Sequence, residues 1–290
     1  MKSQKVPTIK LNNGVEIPQV GFGVYQIEQK ETVDAVTKAI ETGYPHIDTA
    51  RAYGNELQVG EAIRNADKYI FVTTKYFNPD YEEHGFEDAK ANFEASFKDL
   101  GLDQIDLYLI HYPVVKNNLH LESWKALTEL LDDGRLRSIG VSNFTAEFID
   151  QIVEASGIIP TINQVEMHPY FQNPKLREFH KKHGIVTEAW SPLARGKVLD
   201  DEILNAIGKD HNKSAAQVTL RWHLQLGNVI IPKSVTPKYI EENFDIFDFE
   251  LSEEEMARIK DLDRGERNGP DPAEYAFPKD YLIERQKSNA

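Results

Sequence analysis

The chain has 290 residues, 40% of them hydrophobic and 28% charged, which is enough apolar material for a sizeable core and too much for a disordered protein. Its formal net charge of -14 opposes binding to nucleic acid or to an anionic membrane, since both would be repelled at long range. There is no cysteine, which excludes disulfides, thiolate catalysis and cysteine-ligated metal centres; the polar start and the lack of a long apolar run predict a cytoplasmic protein without a membrane segment.

Residues 7–18 read as a hairpin. Thr8, Ile9 and Leu11 lead into Asn12-Asn13-Gly14, and Val15, Glu16 and Ile17 lead out; Asn-Gly between short apolar runs is a strong turn signal. From there the chain alternates. Apolar, β-branched runs fall at 19–24, 46–50, 70–75, 105–111, 136–142, 162–167, 185–190 and 229–233. Amphipathic helical patterns fall at 31–42, 56–65, 87–100, 121–133, 145–155, 174–183, 214–226 and 237–243, with a further one at 252–262. Eight strands alternating with eight helices, without a break in composition, predict one α/β domain over 1–290, a (β/α)8 TIM barrel with an N-terminal hairpin cap. A doubly wound open sheet is the alternative. The segment 263–290, rich in charge, Gly and Pro, reads as an irregular tail laid over the barrel and anchored by Tyr275, Phe277, Tyr281 and Leu282.

In such a barrel the functional face is the C-terminal end of the strands. The second run ends in Asp48, with Tyr53 in the loop beyond; the third ends in Lys75 and the fourth in His111. The fifth ends in Ser142-Asn143, the sixth carries Gln164, Glu166 and His168, the seventh ends in Trp190-Ser191-Pro192-Leu193, and the eighth in Pro232-Lys233-Ser234. Polar groups follow apolar strands at the same end each time, which scattered packing residues would not do.

These residues resemble the aldo-keto reductase family over nearly the whole chain. The motifs are Gly43-Tyr44-Pro45-His46-Ile47-Asp48-Thr49-Ala50 with Tyr53-Gly54-Asn55-Glu56, then Val72-Thr73-Thr74-Lys75, Leu107-Tyr108-Leu109-Ile110-His111, Ile139-Gly140-Val141-Ser142-Asn143-Phe144 and Ile230-Ile231-Pro232-Lys233-Ser234. The short loops and the ending Gly-Pro-Asp-Pro are most similar to the bacterial diketogluconate-reductase-like branch. The resemblance implies NAD(P)H-dependent reduction of aldehydes and ketones to alcohols, and the reverse oxidation.

Carbonyl reduction needs a hydride donor and a proton donor. No side chain supplies hydride, so a nicotinamide cofactor is required. Tyr53 is the candidate acid; a free phenol, with a pKa of about 10, releases its proton poorly at neutral pH, and a nearby ammonium lowers that value. Lys75 is the candidate ammonium, held by Asp48, and His111 can hydrogen-bond the carbonyl oxygen. The resemblance gives these four residues the same roles.

The fragment Gly21-Phe22-Gly23 lacks the third glycine of a dinucleotide-binding turn, so no Rossmann site is supported. Ser142, Asn143 and Gln164 offer hydroxyl and amide groups to a carboxamide, and Trp190 offers a ring to stack on nicotinamide; the resemblance assigns them the nicotinamide half. By the same resemblance Ser191 and Leu193 lie at the pyrophosphate, Lys233, Ser234, Val235 and Thr236 match the cradle of a 2′-phosphate, and Glu242 and Asn243 match adenine contacts. The family usually has Arg where Tyr239 stands; Tyr stacks but cannot fork onto a phosphate. NADPH is therefore expected to be preferred by a narrower margin, with NADH accepted as well. Tyr25, Phe77 and Tyr112 fall where the family lines its substrate pocket, alongside His111, and 78–85 rims it. Small aldehydes, α-dicarbonyls and keto sugars are the expected substrates of a monomeric enzyme without a metal. A metal hydrolase using His46, Asp48 and His168 and a non-catalytic cofactor-binding subunit are the alternatives. His180 and His183, three apart beside lysines, read as a solvated helix face.

Overall fold

Strand β1 (Thr8–Lys10) pairs antiparallel with β2 (Glu16–Pro18), Ile9 facing Ile17, around the Asn-Gly turn. Leu11 and Ile17 bury themselves against Phe71, Leu107, Leu109, Ile162 and Val229, of which Phe71, Ile162 and Val229 open their strands. The hairpin therefore plugs the N-terminal end of the barrel. Side-chain N–H groups fasten it there: Asn12 donates to the Pro160 carbonyl at 3.1 Å and Asn13 to Ser138 Oγ at 3.0 Å.

The computed structural model describes residues 5–78, 85–114 and 118–275. Eight parallel strands follow the hairpin: β3 (Phe22–Gly23), β4 (His46–Asp48), β5 (Phe71–Tyr76), β6 (Ile105–Ile110), β7 (Leu136–Ser142), β8 (Ile162–Glu166), β9 (Val186–Trp190) and β10 (Val229–Ile230), each paired with the next. The first and last then meet. Val20 bridges Ile230 in parallel, Gly21 N–H donates to the Ile230 carbonyl at 2.8 Å, and Gly23 N–H to that of Pro232 at 3.1 Å. This seam makes the sheet a barrel and removes the open-sheet alternative. It also explains the Gly-x-Gly fragment. A Cβ at Gly21 would lie 2.5 Å from His46 Nδ1, and one at Gly23 2.9 Å from the Ile231 carbonyl oxygen. Both glycines are required by close packing at the seam.

The strands are ringed by α1 (Gln29–Thr42), α2 (Glu56–Arg64), α3 (Gly85–Leu100), α4 (Leu119–Leu131), α5 (Ala146–Ser156), α6 (Pro174–His183), α8 (Ala215–Gln225) and α9 (Pro237–Phe244), with α10 (Glu253–Lys260) following and α7 (Glu202–His211) inserted before α8. Helix α7 departs from the sequence expectation. Its signals are present: Asp201 caps it, accepting from Ile203 N–H and Leu204 N–H at 3.0 Å, and Leu204 and Ile207 are buried on one face. The template of one helix per crossover hides it, because α7 and α8 share a single β9-to-β10 connection.

His180 also differs from expectation. It is buried, its ring bonded to Asn163 Nδ2 at 3.0 Å and Thr187 Oγ1 at 2.9 Å, and burial lowers its pKa to about 4. His183 instead stacks on Phe179. Among the described residues no helix is long and apolar enough to cross a membrane.

Helix packing is tightest at Gly60, where an added Cβ would overlap the Leu100 carbonyl oxygen and approach its carbon to 2.7 Å. Backbone cannot swing aside as a side chain can. Gly60→Ala is expected to lower stability by about 1–3 kcal/mol, the usual cost of overpacking, measured by denaturant titration. An unchanged midpoint would mean that α2 and α3 separate without strain.

Candidate active site

Strand β4 delivers Asp48 to the top of the barrel, and the next residues fold back over it. A 3-10 turn spans Arg51–Tyr53 and ends at Gly54, which takes φ 68°, the left-handed region that glycine enters at little cost. The turn is held from below. Buried Asn55 donates to the Val24 carbonyl at 3.2 Å and accepts from Thr49 Oγ1 at 3.1 Å. Buried Glu56 accepts from Thr74 Oγ1 at 2.6 Å, Ser96 Oγ at 3.1 Å and Arg51 at 3.2 Å. Burial pushes the Glu56 carboxyl upward, opposed by these donors. Asn55 and Glu56 thus fix the loop that carries Tyr53, a task sequence reasoning did not assign them.

The structure brings Asp48, Tyr53, Lys75 and His111 into one cluster. Lys75, from β5, is fully buried. Its ammonium donates to Asp48 Oδ1 at 2.6 Å, to the Thr49 carbonyl at 2.9 Å and to Tyr53 Oη at 3.5 Å. An ammonium removed from water needs such a set, since an unpaired buried charge costs several kcal/mol. The His111 ring meets the Tyr53 ring edge-on, with centroids 5.7 Å apart. Burial first, and the Lys75 ammonium second, hold the His111 imidazole well below its ordinary pKa, so at neutral pH it is uncharged, with one N–H to donate.

A further carboxylate completes the cluster. Asp48 Oδ2 accepts from Gln164 Nε2 at 2.8 Å, and the same nitrogen donates to Glu188 Oε2 at 3.0 Å. Glu188 lies on β9 beside Gln164 of β8 and is fully buried. Burial, then the Asp48 charge, push its carboxyl up to about 8, against the Gln164 N–H and Lys75. Burial likewise raises Asp48, opposed by the Lys75 ammonium and by N–H donation from Lys75 and Gln164.

Around this cluster lie groups whose chemistry suits a nicotinamide dinucleotide. Asn143, at φ 64°, donates to the His111 carbonyl at 3.0 Å and to Ser142 Oγ at 3.1 Å, and accepts from Trp190 Nε1 at 2.9 Å. Ser142 Oγ donates to the Gln164 carbonyl at 2.9 Å. Ser142, Asn143, Gln164 and Trp190 are therefore one connected layer at the ends of β7, β8 and β9. Ser191, at φ 49°, and Leu193 are half-buried in the turn that follows. Farther out, Lys233, Val235, Thr236 and Tyr239 are exposed, and Thr236 N–H donates to half-buried Ser234 Oγ at 3.1 Å. Glu242 is half-buried and Asn243 buried. Neutral amides beside the cluster, a flat indole, and a lysine at the far end form a donor set that fits carboxamide, ring and phosphate in turn.

The tail crosses this layer. Glu166 accepts from the successive N–H groups of Asn268 at 2.6 Å and Gly269 at 2.9 Å, while His168 bonds both Glu166 Oε1 at 3.0 Å and Asn268 Nδ2 at 2.8 Å. Burial works against the Glu166 charge, but the His168 ring and the two tail N–H groups outweigh it and hold the carboxyl below its usual range. A Cβ at Gly269 would run into the Trp190 ring. At the mouth, the Tyr25 ring lies 5.0 Å from that of Tyr53, and Tyr112 packs on His111 at 5.5 Å and on Tyr275 at 4.7 Å; Phe77 is buried beside the strand end. Of the expected tail anchors, Tyr275 is placed here, whereas Phe277, Tyr281 and Leu282 lie outside the described residues, as do 79–84 of the expected rim.

His46, Asp48 and His168 do not converge as a metal hydrolase would need. His46 bonds Thr73 Oγ1 at 2.9 Å and packs on Phe71, and no group of three potential ligands forms among the described residues.

A parallel barrel with a buried Lys-Asp pair beneath a phenol and a neutral imidazole is an oxidoreductase site. The model of the aldo/keto reductase family matches residues 19–264, and the chain belongs to that family. It is 47% identical over 274 residues to glyoxal reductase of Bacillus subtilis (strain 168), covering 93% of this chain and 98% of that one. It is 43% identical over 272 residues to methylglyoxal reductase DkgA of Escherichia coli (strain K12), covering 92% and 97%. The structure of a Gox0644 mutant in complex with NADPH superposes with a TM-score of 0.90 at 43% identity, over 94% of this chain and all of that one.

The raised Glu188 carboxyl has a consequence for stability. The folded protein keeps this proton up to about pH 8, while an unfolded glutamate loses it near 4.3. The folded state therefore binds more protons between these values, and stability falls as pH rises through that window, then levels off. Glu188→Gln removes this slope. The melting temperature of the variant minus that of wild type is expected to grow from about pH 5 to pH 8; a constant difference would mean that Glu188 is ionised in the folded protein.

Proposed function

We propose that the chain reduces small aldehydes, ketones and above all α-dicarbonyls to alcohols, using NADPH in preference to NADH. The observation that carries the mechanism is the position of Lys75, its ammonium 2.6 Å from Asp48 and 3.5 Å from the Tyr53 hydroxyl. When bound, the reduced nicotinamide supplies a hydride to the carbonyl carbon. As the carbonyl oxygen gains negative charge, Tyr53 gives it the phenolic proton. The Lys75 ammonium stabilises the phenolate left behind, and Asp48 with the Thr49 carbonyl keeps that ammonium in place. Neutral His111 donates its N–H to the same oxygen, orienting it and stabilising its developing charge. Asp48, Tyr53, Lys75 and His111 are thus assigned the catalytic roles.

Ser142, Asn143, Gln164 and Trp190 hold the nicotinamide half on this reading, Ser191 and Leu193 the pyrophosphate, Lys233, Ser234, Val235 and Thr236 the 2′-phosphate, and Tyr239, Glu242 and Asn243 the adenine. Tyr25, Phe77, His111 and Tyr112 line the substrate mouth. Two relatives named for glyoxal and methylglyoxal support a small, doubly oxidised substrate; a mouth built from phenol rings beside His111 suits one that is compact and polar. The protein acts as a single-domain monomer in the cytoplasm.

Tyr53→Phe is expected to lower turnover of methylglyoxal at least ~100-fold, the lower range of general-acid contributions, with NADPH affinity unchanged. Near-wild-type turnover would remove Tyr53 from the mechanism. The second test concerns the cofactor. The kcat/KM with NADPH exceeds that with NADH, and Tyr239→Arg widens the margin by adding a charge-assisted fork to the 2′-phosphate; equal or better kcat/KM with NADH in the wild type contradicts the assignment.

A further inference from the structure

Glu188 is a buried acid to which the mechanism above gives no part. Its surroundings are specific. The nitrogen of the Gln164 side chain lies 2.8 Å from Asp48 and 3.0 Å from Glu188, so its two hydrogens are both consumed by carboxyl oxygens. The end of the amide left over is Oε1, an acceptor, and an acceptor is what the NH2 group of a carboxamide requires. A glutamine amide is otherwise ambiguous, because rotation by half a turn exchanges donor for acceptor at nearly constant shape. Asp48, which is ionised and can only accept, sets the orientation, and Glu188 Oε2 takes the second hydrogen.

We propose that Glu188 is a positioning residue for cofactor binding: with Asp48 it locks the Gln164 amide so that its oxygen, and not its nitrogen, faces the nicotinamide carboxamide. The inference rests on the proposed role of Gln164 at the nicotinamide.

The two carboxyls divide the work. Asp48 has the Lys75 ammonium on one oxygen and the Gln164 N–H on the other. Glu188 has a share of one amide on Oε2, and its Oε1 has no hydrogen-bond partner among the described residues. A buried carboxylate supported by a single N–H is poorly compensated, so the proton rests on Glu188 and the charge on Asp48. The charged groups that face Glu188 are Asp48 and Lys75; its strand neighbours, Gln164 and Val229, carry no charge. Neutral Glu188 keeps an accepting oxygen for Gln164 without drawing the ammonium away from Tyr53.

The test is fluorescence titration of the full chain with NADPH and, separately, with 2′,5′-ADP, which carries the adenine half and no carboxamide. Glu188→Leu removes the acceptor and is expected to weaken NADPH binding roughly three- to tenfold, the worth of one hydrogen bond between neutral groups, while leaving 2′,5′-ADP affinity unchanged. Glu188→Gln retains an accepting oxygen and restores NADPH affinity. Glu188→Met, equal in length, replaces the leucine variant if that one does not fold. Equal losses for both ligands, or failure of Glu188→Gln to restore binding, overturn the proposal. Gln164→Leu separates the lock from the role it serves. If it weakens NADPH binding while Glu188→Leu does not, the lock is wrong and the Gln164 assignment stands; if Gln164→Leu has no effect either, the Gln164 assignment itself fails.

Discussion

The site depends on an ion pair placed where water cannot reach it. Lys75 and Asp48 meet inside the barrel with side-chain exposures of 0% and 1%. Each alone would be expelled or neutralised there, since burying one charge without its partner costs several kcal/mol. Together, and with the Thr49 carbonyl and the Gln164 amide completing their hydrogen bonds, they hold a fixed positive charge against one face of the Tyr53 phenol. In water the same lysine would wander and be screened. The closed sheet confines it, which is why the seam between β3 and β10 matters to the chemistry even though no site residue lies on it.

Much of the architecture is legible in the sequence because the barrel strands are largely buried apolar runs and Asp48, Lys75 and His111 stand at or near their ends. Parallel pairing with neighbouring register brings these three together. Asn12-Asn13-Gly14 announces the hairpin by its turn chemistry alone. The losses have equally physical causes. Helix α7 shows a cap and an apolar face, but two helices in one crossover break the expected alternation. His180 sits among lysines in the sequence, yet one helical face turns it inward to Asn163 and Thr187. Local composition cannot report which way a single side chain points.

The same limit hides the supporting residues of the site. Asn55 and Glu56 read as the end of a loop and the start of a helix, but they are the anchors of the turn that carries Tyr53. Glu188, in the middle of a strand, carries no sign of its role in the sequence until its partners, Gln164 on the neighbouring strand and Asp48, are known. Glu166 and Asn268 are about a hundred residues apart, and nothing local predicts that a carboxylate grips two successive tail N–H groups beside Trp190. These contacts are long-range in sequence and short-range in space. An acidic chain with net charge -14 must also hold an anionic cofactor against its own field; on the assignment proposed above, recognition rests on neutral amides, the indole and local cations such as Lys233.

The central claim is that the Lys75 ammonium makes the Tyr53 phenol a stronger acid. It is tested most directly by labelling tyrosine at the carbon bearing the hydroxyl and following the NMR titration of residue 53 in wild type and in Lys75→Met. The account predicts a pKa below the ordinary phenol value of about 10 in the wild type and a clear rise in the variant. The same pKa in both proteins would contradict it.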